Sequence, residues 1–471
     1  MFMIAVEATI VSTAMPQIAG QLGDLHLYAW VFSAFLLTQT ATTVVFGKLA
    51  DLFGRKPVLL AGIAVFLIGS VLCGAAWSMP SLIAFRLLQG IGAGAIQPIG
   101  MTVIGDLYTV EERGRIQGWL ASVWGISSVL GPLAGGFIIQ HANWSWIFWI
   151  NVPVGLAAAG LFAFCLHENV ATRARHIDAA GAALFATTVA AAMVAITQAG
   201  TGDVRTASMA AALAIASAVL FVLAERRAKD PMVAFAMWAK RSIATSNATC
   251  MLSGMAVVGL TAFLPMYVQG VMGRTPIEAG FALTAMVLGW PIGATAAGRL
   301  FGRLGLRTTL LIGAALLPTG ALAFITLGPL SSPVLAGVGS LVMGLGMGFL
   351  TTSAIVIVQD SVGWNERGSA TASNLFSRNL GSTLGATVLG GVLNAGLAHA
   401  GGHGFDLDQV RQLLDHPGPL AGTDDIAAAL GHALHVTFWA VFGIAATTLA
   451  VATLVPAIKL SQTVKVEAGA D

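Results

Sequence analysis

The sequence contains few charged residues. Only 9% of its 471 residues are Asp, Glu, Lys or Arg, whereas 56% are hydrophobic; a typical soluble domain has about a quarter charged residues. The formal net charge is +2, and the basic residues form no dense cluster of the kind that binds nucleic acid. A chain of this length with so little charge cannot form the polar surface of a soluble globule. The composition therefore predicts a polytopic membrane protein built of α-helices.

Residues with distinctive chemistry are also scarce. The three cysteines, Cys73, Cys165 and Cys250, lie inside apolar stretches, where we interpret them as small buried residues rather than disulfides or metal ligands. No nucleophile with an acid–base partner and no nucleotide-binding motif is present, so no enzymatic activity, metal or cofactor is predicted. Four histidines between residues 399 and 432 lack metal-ligand spacing, which favours a solvated loop.

Long apolar stretches separated by short polar breaks predict fourteen membrane-spanning helices. Their approximate limits are 1–20, 28–47, 57–77, 81–104, 115–139, 147–166, 178–199, 206–225, 242–268, 277–300, 308–328, 333–357, 369–396 and 432–457. If both termini are cytoplasmic, eighteen Lys and Arg residues fall in inner loops and three in outer loops, as the positive-inside rule requires. The first stretch is predicted to be a span rather than a cleaved signal.

A charged run at residues 47–57 joins the second and third predicted spans, where the spacing predicts a tight turn. It reads Gly-Lys-Leu-Ala-Asp-Leu-Phe-Gly-Arg-Lys-Pro, with Asp51 among basic residues. A weak copy at 298–307 follows the tenth span and carries Gly302 at the position of Asp51. The chain is therefore predicted to hold two related six-span halves with two extra spans between them.

The pattern G-x-L-A-D-x-x-G-R-K resembles the signature loop of the major facilitator superfamily. Residues 86–94 and 125–136 resemble its fourth-span motif and the fifth-span motif associated with antiporters. Residues 7–16 and 144–155 resemble the first- and sixth-span motifs of its fourteen-span proton-coupled drug antiporters. One departure is that the acidic position of the first-span motif is usually Asp and is Glu7 here.

The resemblance implies the major facilitator fold, an all-α polytopic membrane protein with two six-helix bundles and two extra linker helices. The expected domains are an N-terminal bundle (1–166), two linker helices with a cytoplasmic loop (167–241), a C-terminal bundle (242–460) and a cytoplasmic tail (461–471). The expected setting is a bacterial inner (plasma) membrane, where a monomer contacts lipids and has both termini in the cytoplasm.

Among the charged residues inside predicted spans, Glu7 and Arg86 are candidates for proton coupling, and Arg378 in the thirteenth span is a similar but weaker case. A carboxylate within a span is costly, so its neutral form becomes accessible and it can exchange a proton for a cation. The alternative is that Glu7 lies at the cytoplasmic interface. Arg86 either adjusts the proton affinity of Glu7 or fixes helix packing through backbone carbonyls. The depths implied by the span limits place the two residues too far apart for direct contact, unless residues upstream of Met1 set Glu7 deeper in the membrane.

The resemblance also implies two conformational elements. One is a latch in which Asp51 faces the N-terminal end of a helix in the other half, while Arg55 and Asp106 complete a charge relay; the alternative is a surface salt-bridge cluster. The latch residues are Gly47, Asp51, Gly54, Arg55 and Asp106.

The other conformational element is an antiporter gate in the fifth span, which packing alone also explains. Its residues are Gly131, Pro132, Gly135 and Gly136.

The predicted function is proton-coupled export of small lipophilic or cationic drugs, driven by the proton gradient without a cofactor. Candidate substrate contacts are the polar and aromatic side chains Gln39, Gln97, Asn247, Tyr267 and Asn374, each of which has the alternative role of a helix–helix hydrogen bond. Alternative functions are export of a specific lipid, siderophore or metabolite, proton-driven uptake, and a non-transporting membrane sensor or scaffold.

Overall fold

The computed structural model describes residues 1–22, 27–166, 168, 179–201, 203–227, 235–328, 331–400 and 424–457, and all regular structure in these ranges is helical. The α-helices are α1 (Phe2–Leu22), α2 (Tyr28–Phe53), α3 (Arg55–Gly74), α4 (Met79–Leu107), α5 (Val110–His141), α6 (Trp146–Trp149), α7 (Asn151–Cys165), α8 (Ala179–Thr201), α9 (Val204–Glu225), α10 (Phe235–Trp238), α11 (Arg241–Gly270), α12 (Pro276–Ile325), α13 (Pro333–Asp360), α14 (Arg367–Ala400) and α15 (Asp424–Thr453). A 3-10 turn at Trp364–Glu366 precedes α14.

Ten of the described helices are long and apolar enough to cross a membrane. The helix α12 runs for 50 residues but turns at Gly305, whose φ of 77° is not helical, so α12 corresponds to two of the predicted apolar segments. Side-chain caps fix where several helices begin. Thr109 and Glu112 form a capping box at the start of α5. Asp203 caps α9, and the hydrogen bonding from Thr206 holds the pKa of Asp203 below its usual value.

The helices pack as two groups, α1–α7 and α11–α15. In the first group α2 and α3 both lie along α4, and in the second α12 packs on α13 while α11 packs on α14 and α15. The groups meet mainly along two helix pairs. We name the contact of α2 with α14 the first junction and that of α5 with α12 the second junction. The paired helices α8 and α9 lie beside the first junction, where the ring of Phe185 in α8 makes tilted contacts with the rings of Phe221 and Phe376.

The charged run is mainly helical, so the predicted tight turn is wrong over most of its length. The helix α2 continues to Phe53 and α3 begins at Arg55. Gly54 alone makes the connection, with a φ of 96° that L side chains rarely adopt. The helices extend beyond their apolar stretches because their polar last turns remain packed against neighbouring helices.

The cysteines do not all follow the prediction of burial. Cys73 and Cys250 are buried, but Cys165 is exposed. Cys165 lies at the end of α7, where Leu161 and Phe164 are also exposed. An apolar outer face is expected of a helix whose surroundings are lipid, so hydrophobicity in a span does not by itself predict burial.

Candidate functional site

A carboxylate and a guanidinium form a buried ion pair between α1 and α4. Glu7 is 0% and Arg86 is 2% exposed, and Arg86 Nη1 lies 2.5 Å from Glu7 Oε1. Asn151 of α7 donates a hydrogen bond from Nδ2 to Glu7 Oε2, also at 2.5 Å. Both carboxylate oxygens therefore have protein partners, as deep burial of a charge requires.

Arg86 is held by several acceptors besides Glu7. Its Nη1 donates to Gln89 Oε1 at 2.7 Å and its Nε donates to the Val31 carbonyl at 3.2 Å. The guanidinium carbon lies 4.3 Å from the centre of the Phe35 ring. Gln89 Nε2 in turn donates to Ser70 Oγ at 2.7 Å. The pair is thus the centre of a polar network, which we name the Glu7 network. Its members are Glu7, Ser70, Arg86, Gln89 and Asn151.

The prediction that Glu7 and Arg86 are too far apart for direct contact is wrong. It assumed that the first helix starts at the membrane surface. Met1 instead lies beside Gly100, about two turns inside the end of α4, so Glu7 reaches the level of Arg86. The alternative of an interfacial Glu7 does not fit a side chain with no exposed surface.

Sequence reasoning missed three members of the Glu7 network. Gln89 follows Arg86 by three residues, which places both on one helix face, so this spacing was a usable signal. Asn151 lies within the sixth-span motif but was not singled out. Ser70 had no distinguishing signal, because a serine in a span commonly bonds its own helix backbone.

Asp51 joins the two groups of helices at the first junction. It lies in the last turn of α2 and accepts hydrogen bonds from the Gly368 amide at 2.9 Å, the Ser369 amide at 2.7 Å and the Ser369 hydroxyl at 2.8 Å. These amides belong to the first turn of α14, where N–H groups lack partners within the helix and the dipole favours an anion. A Cβ on Gly47 would lie 2.8 Å from the Gly368 carbonyl, so its absence permits this approach.

Arg55 connects Asp51 to the other charges of the first junction. Its guanidinium lies 3.3 Å from Asp51 Oδ1 and 3.1 Å from Asp106 Oδ2, and it donates to the Trp364 carbonyl at 2.6 Å. Asp106 also pairs with Arg367 of α14 at 2.7 Å. Arg55 is 2% and Asp51 4% exposed, whereas Asp106 and Arg367 are 15% and 17% exposed. The Asp51–Arg55 pair at the centre of the cluster is therefore buried and does not match the alternative of a surface salt bridge.

The predicted gate residues all lie in α5, but α5 approaches α12 most closely elsewhere. Gly131 and Gly135 are buried, whereas a Cβ on Gly136 would meet nothing within 4 Å. At the second junction, a Cβ on Gly298 of α12 would lie 2.5 Å from the Gly114 Cα. Gly118 is similarly pressed against Thr295. The glycines that bring the two groups together are therefore nearer the start of α5 than the predicted gate.

A cavity of about 340 Å³ lies between the two groups of helices. Its lining includes Gln97, Gln117, Trp124, Met286, Trp290, Thr351, Thr352, Asn374, Arg378 and Ser382. A cavity of this size, mainly apolar with a few polar groups, suits a small organic molecule. A second cavity of about 500 Å³ lies between α2, α8, α11 and α14 and shares Ser382 with the first.

The candidate substrate contacts divide into three groups. Gln97 and Asn374 line the 340 Å³ cavity. Gln39 and Asn247 stand behind them, because Gln39 donates to Gln97 Oε1 at 3.2 Å and Asn374 donates to Asn247 Oδ1 at 3.1 Å. Tyr267 does not line the cavity, so its prediction as a cavity residue is wrong for this conformation.

Tyr267 instead serves helix packing. It is 1% exposed and its hydroxyl donates to the Leu327 carbonyl at 2.9 Å. Its ring centre lies 5.5 Å from that of Phe438. Ring packing and this hydrogen bond together explain the burial of Tyr267 without any contact to a ligand.

Within the described ranges, no group of three or more His, Cys, Asp or Glu side chains is placed to hold a metal ion. Most of the histidine-containing stretch, residues 401–423, lies outside those ranges.

A family comparison decides what kind of protein carries these sites. The model of the Major Facilitator Superfamily matches residues 1–386, most of the chain. The chain belongs to the major facilitator superfamily. As a member, it is a multi-pass membrane transporter and not an enzyme.

Relatives in this superfamily include two proteins of Bacillus subtilis. Multidrug transporter protein MdtP is 35% identical over 398 residues, which are 84% of this chain and 74% of MdtP. Multidrug resistance protein 3 is 36% identical over 393 residues, which are 83% of this chain and 77% of that protein.

Solved structures of other members share the fold. The human organic anion transporter MFSD10 has a TM-score of 0.62 and 16% identity, over 94% of this chain and 96% of MFSD10. The proton:xylose symporter XylE has a TM-score of 0.64 and 12% identity, over 97% of this chain and 93% of XylE. At such low identity these likenesses establish the major facilitator fold and carry no argument about cargo.

Proposed function

We propose that this major facilitator protein is a proton-coupled exporter of lipophilic, drug-like compounds in the plasma membrane. The multidrug transporters of Bacillus subtilis to which it is similar support the cargo class. The observation that carries proton coupling is the ion pair of Glu7 and Arg86, which is buried within one helix group. None of the five residues of the Glu7 network is among those lining the 340 Å³ cavity.

The proposed topology has fourteen spans with both termini cytoplasmic. This count takes α6 and α7 as one span and α12 as two, and leaves out the four-residue helix α10. We assign α1–α7 and α11–α15 to the two six-span bundles and α8 and α9 to the linker between them. The charge asymmetry of the loops supports this orientation.

Protonation of Glu7 is the proposed coupling step. Both carboxylate oxygens of Glu7 accept hydrogen bonds, from Arg86 and from Asn151, and this arrangement suits the ionised form. A proton on Glu7 removes its negative charge and leaves the Arg86 guanidinium buried without a counter-ion. An uncompensated buried charge is strongly destabilising, so proton binding favours a rearrangement of α1 against α4.

The two junctions are the proposed conformational parts of the cycle. The contacts of Asp51 with α14 stabilise the state in which the helix groups meet at that end, and their release permits the alternate state. We place the latch at Gly47, Asp51, Gly54, Arg55 and Asp106, with the antiporter gate on α5 at Gly131, Pro132, Gly135 and Gly136. Rocking of one group against the other then exposes the cavity alternately to the two sides.

Everted membrane vesicles with an imposed proton gradient test this function. A panel of anionic, neutral and cationic aromatic compounds is added, and dissipation of the gradient is followed with a pH-sensitive dye. We expect compound-dependent dissipation by the wild type and none by Glu7→Gln, because a neutral amide cannot exchange a proton. Glu366→Gln, which removes an exposed acid, is the matched control and is expected to behave like the wild type.

Equal dissipation by Glu7→Gln and the wild type, with both inserted to the same extent, would remove Glu7 from the mechanism. A wild type that responds to no compound in the panel would contradict the drug-export proposal and favour a single specialised cargo.

A further inference from the structure

The cavity between the two helix groups contains one positive side chain and no negative one among its lining residues. Arg378 of α14 lines it, and no Asp or Glu does. Asn374 and Ser382 lie one turn before and one turn after Arg378 and also line the cavity, so the three form a polar stripe on one face of α14. The remaining walls are largely apolar and aromatic and include Trp124 and Trp290.

Arg378 differs from the buried arginines of the two clusters already described. Arg86 donates to Glu7, Gln89 and a backbone carbonyl, and Arg55 pairs with acids and donates to a carbonyl. The guanidinium of Arg378 has no hydrogen bond or ion pair among the described residues. The Cys250 thiol interacts with it electrostatically, and no carboxylate in the described part of the chain lies within the 4.0 Å that defines an ion pair.

A guanidinium without a counter-ion in a mainly apolar cavity is costly, and it stays charged because arginine does not deprotonate in proteins. Its fork of N–H donors can pair with two oxygens of a carboxylate or of a sulfonate. The backbone behind it is firmly placed, since a Cβ on Gly254 of α11 would lie 2.5 Å from the Arg378 carbonyl. The cavity therefore has room for a small molecule, but its lining provides no anion to pair with Arg378.

We propose that the cavity binds organic anions, namely small aromatic or aliphatic molecules carrying one carboxylate or sulfonate, with Arg378 as the anion contact. The apolar body lies against Trp124 and Trp290, while the acid group reaches the stripe on α14. Cations are disfavoured by the charge of Arg378. This inference rests on the proposed function and narrows its cargo class to acids, in contrast to the cationic drugs that the sequence resemblance allows.

Three naphthalene compounds of similar size test the inference: 2-naphthoate, 2-naphthamide and 2-naphthylmethylammonium. Calorimetric titration of the full chain in lipid nanodiscs at neutral pH, with empty nanodiscs subtracted, measures binding of each. We expect naphthoate to bind at least about 10-fold more tightly than the amide, the factor expected for a hydrogen bond to a charged group, and the ammonium compound to bind weakest.

Substitutions at Arg378 test whether this side chain causes the tighter binding of naphthoate. Arg378→Gln is expected to remove the preference for naphthoate, whereas Arg378→Lys keeps the charge and retains part of it. Arg274→Gln, at an exposed position outside the cavity, is the control and is expected to keep the full preference. Size-exclusion profiles identify any variant that fails to fold, and Arg378→Lys keeps the test decisive if Arg378→Gln does so.

Equal binding of the acid and the ammonium compound, or an unchanged preference in folded Arg378→Gln, overturns the inference. The vesicle assay separates this result from failure of the proposed function. Proton-linked export that persists without any charge preference contradicts only the anion site. Absence of proton-linked export for the whole panel contradicts the transporter proposal and this inference with it.

Discussion

The two junctions between the helix groups have related sequences but are held together by different interactions. Residues 47–54 at the first junction correspond to 298–305 at the second, with glycines at both ends of each run. On the partner helices, the sequence Glu-Arg-Gly occurs at 366–368 in the first junction and at 112–114 in the second. In both junctions a framing glycine packs against the glycine of Glu-Arg-Gly, Gly47 against Gly368 and Gly298 against Gly114.

The difference between the junctions follows from where the partner helices begin. The helix α14 begins at Arg367, so the amides of Gly368 and Ser369 belong to its first turn and need an outside acceptor. The helix α5 begins at Val110, so Gly114 is already its fifth residue and its amide bonds within the helix. The capping box of α5 pairs the Glu112 amide with Thr109. An aspartate at position 302 would therefore lack the pair of free amides that α14 offers to Asp51, and this difference fits the glycine at that position.

From this comparison we propose that the first junction is a switchable contact and the second a pivot. Charge-assisted hydrogen bonds such as those of Asp51 can be broken and replaced by water when the groups separate. The glycine contact of the second junction depends on shape, and it tolerates sliding and rotation but not added volume.

The largest expected effect is that of a bulky side chain in the pivot. Gly298→Leu is expected to lower proton-linked export at least ~100-fold, because overpacking against the Gly114 backbone costs ~3 kcal/mol or more. Gly302→Leu is the control four residues along the same helix, where a Cβ has open space. Export rates in vesicles at matched protein levels make the measurement. Similar losses in both variants would contradict the pivot.

The next effect is that of weakening the switchable contact. Asp51→Asn keeps the size of the side chain but loses its charge, and we expect export to fall about 10-fold as hydrogen bonds to a charged group are lost. Spin labels on cysteines introduced at Leu107 and Lys240, with native cysteines replaced, are expected to report a wider separation at the first junction. Unchanged separation together with unchanged export would show that Asp51 does not hold this state.

A smaller effect is expected when the aspartate is restored to the second repeat. Gly302→Asp is expected to change export by no more than about twofold, as for most exposed substitutions, because α5 offers no unpaired amide there. The double variant Asp51→Asn with Gly302→Asp sharpens the test. Recovery of export in the double variant would show that the two junctions are interchangeable, contrary to the comparison.

The smallest effect is expected at the rim of the first junction. Lys240 and Glu366 lie 3.8 Å apart with side chains 44% and 50% exposed. An exposed pair contributes roughly 0–1 kcal/mol and is screened by salt, so Lys240→Gln should leave export within twofold of the wild type. A loss as large as that of Asp51→Asn would mean that charge at this end, rather than capping of α14, controls the junction.

The helices and the family were predictable because they depend on local information. Apolar run length places spans, and the charged run carries a recognisable pattern. The partners of Asp51 were not predictable in detail, since Gly368 and Ser369 lie 317 and 318 residues away and act through backbone amides that any residue could supply. The contact of Glu7 with Arg86 was missed because span limits give no depth for a helix that does not start at the surface.

The cavity was the least predictable part. Five polar or aromatic candidates were plausible from the sequence alone, yet only Gln97 and Asn374 line it. Tyr267 was misplaced because the rotation of a helix about its axis is decided by packing, which an almost uniformly apolar sequence does not encode. The sequence shows Arg378 as a charge inside a span. Its lack of a partner could not be predicted, because that depends on which side chains the fold places around it.

The helix α14 carries both the amides that bind Asp51 and the polar stripe of the cavity. Arg378 follows Gly368 by ten residues, about 15 Å of helix rise. A straight helix of this length is a stiff rod, so a cargo that tilts it at Arg378 also displaces its tip at Gly368. Binding of cargo at Arg378 and release of the contact between Asp51 and α14 are then coupled through this one helix. A mutation that changes cargo preference along this rod is therefore expected to alter how readily the transporter opens.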